Sequence, residues 1–166
     1  MGQIMRAIAA IAICCAFGAT GAAASSASLL PRCKGAQLKI RASLQGATQS
    51  LLGTAVLTNP SAGACALPVA PSRVTLVIGT QVLPAITVRM STGGVPTRRL
   101  AGHGRVRVAI QWRNWCGAPR GNVHLSVGLT VYGSETRRTP VGLVRTPACV
   151  DHKYSSRVAV SRFIKP

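Results

Sequence analysis

The sequence is nearly without acids. Its 166 residues include two, Glu135 and Asp151, against 20 Lys and Arg, for a formal net charge of +18. Glycosidase-type acid/base chemistry needs a pair of carboxylates, so it would have to draw on Glu135 and Asp151 together. Glu135 stands in an arginine-rich loop, where charge balance is its expected role. Asp151 follows Cys149 in a turn. A Ser-His-Asp arrangement would have to join Asp151 to His103, His124 or His152, and the Gly-x-Ser-x-Gly elbow of such hydrolases is missing. His103 lies between glycines in a turn, and His124 falls on the polar side of its strand. Gly93-Gly94 has no following lysine or helix, so there is no phosphate-cradling loop. Apolar residues at i, i+3, i+4 and i+7 over a helical length are absent too, which excludes an architecture built on amphipathic helices. The composition points away from an enzyme, and no cofactor is expected.

What is present begins with an export signal. Met1 to Arg6 carries one positive charge, Ala7 to Gly18 is apolar, and Ala22-Ala23-Ala24-Ser25-Ser26-Ala27 is small at every position. This is the layout of a helical signal peptide over residues 1–24, with cleavage after Ala24 or, as a second choice, after Ala27. The run is shorter and more diluted by Ala and Gly than the roughly 20 strongly apolar residues of a spanning helix. A lipid-bearing cysteine wants a small residue before it. Ile13 precedes Cys14 and Cys14 precedes Cys15, so both read as ordinary leader residues. No later stretch is apolar enough to span a membrane. The rest of the chain, residues 28–166, is expected to be one domain outside the cytoplasm, secreted or held in the cell envelope.

Four cysteines follow the leader: Cys33, Cys65, Cys116 and Cys149. An even number in an exported chain argues for two disulfides. Three pairings are possible, and the order favours Cys33–Cys65 with Cys116–Cys149. A zinc site usually shows ligands paired two to four residues apart. These cysteines are widely separated and the histidines scattered, so no metal is expected.

Strand signals fill the remainder. From Gly104 to Cys116, Val106, Val108, Ile110 and Trp112 alternate with Arg105, Arg107, Gln111 and Arg113, with Ala109 among the second set. That is the period of a strand with one face in a core and one in water. Leu38, Ile40, Ala42 and Leu44 alternate in the same way, which puts Lys39 and Arg41 outward. Further strands are read at 51–58, 74–78, 82–90 with an edge or bend at Pro84, 123–131, 141–145 and 158–164. Asn59 to Gly63, Thr92 to Pro96, Gly117 to Gly121 and the basic segment Gly133 to Pro140 separate them. The spacing predicts an antiparallel β-sandwich of about seven to nine strands, with a barrel as the alternative. Trp112 is assigned to the core. Trp115 has the opposite parity and is expected outside unless the strand has ended before it.

Three short motifs carry a resemblance: Arg32-Cys33, then Leu57-Thr58-Asn59, then Cys65-Ala66-Leu67-Pro68. With Val108 to Trp112, Cys116 and Pro147-Ala148-Cys149, they resemble exported actinobacterial domains catalogued as domain of unknown function 4232. The likeness runs from about Arg32 to Phe163. It departs at Val69-Ala70-Pro71, where the family often has Gly-Tyr-Pro, and the lipoprotein or linker features common in that family are not evident. The resemblance implies an immunoglobulin-like sandwich and supplies no activity.

Charge is then the one positive hint of function. Sixteen of the 20 cations are Arg. A GC-rich genome would account for arginine but would supply Asp and Glu codons as freely. If the strands bearing Lys39 and Arg41 and those bearing Arg105, Arg107 and Arg113 share a sheet, their cations line one surface. Arg137 and Arg138 add to it from a loop, and Trp115 and Tyr132 are candidate stacking faces. Such a field attracts polyanions. For an exported protein these are anionic envelope polymers, acidic glycans or anionic lipid headgroups, with nucleic acid an improbable natural target. The alternative is a structural or protein-interaction domain with no polyanion ligand, whose charge only keeps it in solution.

Overall fold

The computed structural model describes residues 30–91 and 93–166. The signal segment, with Arg6, Cys14, Cys15 and both cleavage points, lies outside the described residues, as does Thr92. After a single 3-10 turn at Gly35–Gln37 the elements are all strands: β1 Lys39–Ala47, β2 Ser50–Thr58, β3 Cys65–Ala66, β4 Arg73–Ile78, β5 Gln81–Val82 and β6 Ile86–Arg89. They continue with β7 Arg99–Leu100, β8 Arg105–Arg113, β9 Asn122–Val131, β10 Ser134–Glu135, β11 Thr139–Arg145 and β12 Arg157–Val160. Eight have four residues or more, matching the strands read from the sequence. The four two-residue pieces fall in segments read as loops or strand ends.

These strands form two five-stranded sheets, one ordered β1-β2-β8-β12-β6, the other β10-β9-β4-β5 with β11 also on β9. β3 and β7 make a separate small ribbon. The two large sheets face each other as a sandwich, and alternate residues of each fill the space between. Ile40, Leu44, Leu51, Ala55, Leu57, Val106, Val108, Ile110, Trp112, Val158 and Val160 come from the first sheet. Val74, Leu76, Val123, Leu125, Val127, Leu129, Val131 and Val144 come from the second. Burying a side chain of this size is worth roughly 1.5–3 kcal/mol, which is why alternation fixes the orientation of each strand so firmly.

Two features go beyond a simple antiparallel sandwich of alternating strands. β5 pairs with β4 in the second sheet, whereas β6 pairs with β12 in the first. The chain changes sheets across Leu83-Pro84-Ala85, where proline has no N–H to offer a ladder. Arriving from the opposite layer, β6 runs parallel to β12. The second departure is Trp115, which is 3% exposed and not on the surface. β8 stops at Arg113, and Asn114 takes a left-handed conformation (φ 56°). Asn is one of the few side chains that tolerates this region, and the turn resets parity. Trp115 therefore packs on Trp112 with ring centroids 5.6 Å apart.

Both favoured disulfides are formed, Cys33–Cys65 and Cys116–Cys149. They close loops with sequence separations of 32 and 33 residues. In the chain-entropy picture each such closure contributes roughly 3–4 kcal/mol. The second ties the chain leaving β8 in one sheet to the chain leaving β11 in the other. Asn59 performs the same service without a covalent bond. Its Nδ2 donates to the carbonyls of Gly63 (2.7 Å) and Ala101 (3.1 Å), while its Oδ1 accepts from the Ser61 amide. Two turns from distant parts of the sequence are thereby joined. Among the described residues no helix is long and apolar enough to cross a membrane.

Among the described residues every buried side-chain nitrogen and oxygen has a hydrogen-bond partner. Trp112 Nε1 donates to Ser156 Oγ at 2.7 Å inside the core, and Trp115 Nε1 donates to the Pro119 carbonyl at 2.8 Å. Urea unfolding should separate packing from hydrogen bonding at the first of these. Trp112→Ala is expected to lose about 3–5 kcal/mol through the cavity it leaves. Ser156→Ala is expected to lose about 1–3 kcal/mol because the indole N–H is stranded without a partner.

Candidate functional site

The cations of β1 and β8 do share a sheet, with β2 between them. The ladder places Lys39 opposite Thr58 and Thr58 opposite Arg105; two residues on, Arg41 faces Val56, which faces Arg107. All four cations are exposed. Neighbouring strands lie about 4.8 Å apart and residues two apart are about 6.7 Å apart along a strand. The four therefore mark a near-rectangle of roughly 10 by 7 Å. Val56 and Thr58, both short and uncharged, form its floor. On the far side of β8 the carboxy-terminal segment completes the surface, with Ile164 exchanging two backbone hydrogen bonds with Arg107.

Arg137 and Arg138 enter from the other sheet. The connection between β10 and β11 brings them alongside β1, and an open groove of about 510 Å³ is lined by Lys39, Arg41, Pro60, Arg137, Arg138 and Thr139, among others. The two loop arginines differ in one respect. Arg138 Nε lies 3.1 Å from Glu135 Oε1, the one ion pair among the described residues, while Arg137 has no acid beside it. The pair lies over Gly128 of β9, whose missing side chain leaves the room: a Cβ there would stand 2.6 Å from Glu135 Oε1. Glu135 thus has the charge-balancing role expected of it. Arg138 brings less free charge to the groove than Arg137.

Arg113 lies on the same face at the other end of β8. It is six residues beyond Arg107, about 20 Å along the strand, and it is directly opposite Arg157 of β12. Nothing in the sequence singles out Arg157, because the pairing of β8 with β12 is invisible without the fold. The stacking candidates fare differently. Trp115 is buried and is withdrawn from any surface role. Tyr132 is 41% exposed, but Arg32 lies over its ring at 5.1 Å from the centroid, so that face is occupied. The aromatic ring that does stand open is Tyr154, 61% exposed.

The groups considered for catalysis sit on different elements. Glu135 is in β10. Asp151 is in the loop after Cys149, where its Oδ1 accepts from the Lys153 amide at 2.8 Å. His103 is an exposed turn residue with φ 55°, and His124 is exposed on the outer side of β9. Cys116, Cys149 and His152 do converge, their ligand atoms lying within 4.8 Å of one another. Both sulfurs are bonded to each other, so neither offers the thiolate a metal would need. Set against family models, curated proteins and solved structures, the chain finds no match.

The Glu135–Arg138 pair gives a direct handle on the groove. The two side chains are 37% and 44% exposed, so screening limits the stability change in Glu135→Gln to under about 1 kcal/mol. The same substitution frees Arg138 and should raise the salt needed to elute the protein from an anionic resin. Elution at unchanged salt would show that Arg138 does not face the resin.

Proposed function

We propose that the protein is an exported, noncatalytic binding domain that holds anionic envelope or extracellular polymers on the outer face of its first sheet. The observation that carries this reading is the quartet Lys39, Arg41, Arg105 and Arg107, with Arg137 across the adjoining groove. Five exposed cations converge here with no acid among them. Side chains in this arrangement repel one another unless a counter-anion is present, and a polymer supplies several anions at once. Binding of this kind releases condensed counterions and weakens steeply with salt.

An oxidising compartment suits the two disulfides, and the leader-like start of the chain suits export. The motifs around Cys33, Asn59, Cys65 and Trp112 support membership of the exported family they resemble. The bland alternative, a structural domain whose charge serves solubility, draws on the cations outside the quartet and its groove: Arg73 in β4 and Arg145 in β11 of the second sheet, Arg89 in β6 at the far edge of the first, and Arg98 and Arg99 at the β3–β7 ribbon.

Elution from heparin and from polyphosphate resin separates the two readings. A variant with Lys39, Arg41, Arg105 and Arg107 all changed to Gln should elute at much lower salt than wild type. A control with Arg73, Arg89, Arg98 and Arg145 changed to Gln removes the same charge and should shift far less. Equal shifts would make the retention a matter of net charge alone and favour the bland alternative.

A further inference from the structure

A second groove, at the Arg113 end of the same face, has a different chemistry. It is open, about 620 Å³, and is lined by Gln49, Arg113, Asp151, Tyr154, Ser155 and Arg157, among others. Arg113 and Arg157 are direct cross-strand neighbours, both exposed, and neither is in an ion pair. Like charges directly opposite one another destabilise a sheet, and two adjacent guanidiniums make a fork for a carboxylate.

The wall facing them is rigidly held. Asn114 Nδ2 donates to the carbonyls of Asp151 (2.9 Å) and Tyr154 (2.7 Å), and its Oδ1 accepts from the amides of Val150 (2.9 Å) and Asp151 (3.1 Å). The Cys116–Cys149 bond anchors the start of the same loop. Yet the loop turns its largest apolar groups outward: Val150 is 64% exposed and Tyr154 61%. A well-anchored loop that presents an aromatic ring to water is preorganised for contact and loses little freedom on binding.

We infer that this groove binds a hexuronate unit of an acidic polysaccharide. The carboxylate is held between Arg113 and Arg157, and the apolar face of the sugar ring lies on Tyr154 and Val150. The sugar hydroxyls donate to Asp151 and exchange hydrogen bonds with Gln49 and Ser155. Asp151 is the discriminating group. A carboxylate in an anion groove repels a phosphate chain, which has no hydrogen to donate, but accepts from a hydroxyl. The inference deepens the polymer-binding reading, on which it rests for the approach of the chain. It names the sugar class and assigns it a site about 20 Å along β8 from the quartet.

Calorimetric titration with tetragalacturonate, a linear phosphate oligomer of equal charge and an uncharged gluco-oligosaccharide tests it. Wild type should bind the uronate about tenfold or more tightly than either of the others. Tyr154→Ala should weaken uronate binding about tenfold while leaving elution from polyphosphate resin unchanged, which also shows that the variant is folded. Tyr154→Phe keeps the ring and should keep the affinity. Arg113→Gln with Arg157→Gln should abolish uronate binding. The quartet variant should bind the short uronate as wild type does while losing the resin. Equal affinity for uronate and phosphate, or an unaffected Tyr154→Ala, overturns the inference. An unaffected quartet variant on the resin overturns the broader reading and leaves the uronate site to be judged by its own titration.

Discussion

The register of β8 is the constraint on which the rest depends. This strand is hydrogen-bonded along its whole length to β2 and over its second half to β12. Side chains alternate along a strand with a period of two, so a slip of one residue would exchange its faces. Val106, Val108, Ile110 and Trp112 would move into water, and Arg105, Arg107 and Arg113 would enter a core that holds no acid to meet them. An isolated buried charge is among the most costly features a fold can contain. The arginines therefore hold the register from outside as firmly as the apolar residues hold it from within. Because β2 follows β8 rung by rung and β1 follows β2, one alternation places the cations of β1 and β8 on a common face.

The end of β8 matters as much as its course. Asn114 does three things through one left-handed residue. It stops the strand, it turns Trp115 inward to pack on Trp112, and its amide gathers the loop from Val150 to Tyr154. The disulfide two residues later fastens the start of the same loop, where the chain leaves the second sheet, to the chain leaving β8. Fold stability and the candidate sugar site thus share a hinge point, with the core on one side and the groove on the other.

What could be read from the sequence divides along the same line. Within a strand, alternation is a local signal, so the eight longer strands, the inward Trp112 and the outward Lys39, Arg41, Arg105, Arg107 and Arg113 were all legible. The cysteine order was legible as well, since the pairing closing the shortest loops is the one formed. Parity places Trp115 outside only while the strand continues; β8 ends at Arg113, and Asn114, a residue suited to reset the direction, turns Trp115 inward. Nonlocal pairings left no trace: the parallel approach of β6 to β12, the meeting of Arg113 with Arg157, and the return of Arg137 and Arg138 to β1. Tyr154 was passed over because it lies in a loop with no periodicity to show its direction.

The scarcity of acids links these observations. In an ordinary surface most cations find a carboxylate within the same chain, and the outward face is electrically satisfied. Here Glu135 neutralises Arg138 and is thereby spent, while Asp151 is turned toward the Lys153 amide within its own loop. The cations on the outer face of the first sheet must be screened by ions from solution or by a partner. Solvent ions do this diffusely and equally everywhere. A polymer does it best where cations stand close together on a rigid backbone, because its charges are then met without ordering either side. The two ends of β8 offer such spacing on this face. They differ in the way that would let one chain be held by its charge at the quartet and recognised by its sugar chemistry at Tyr154.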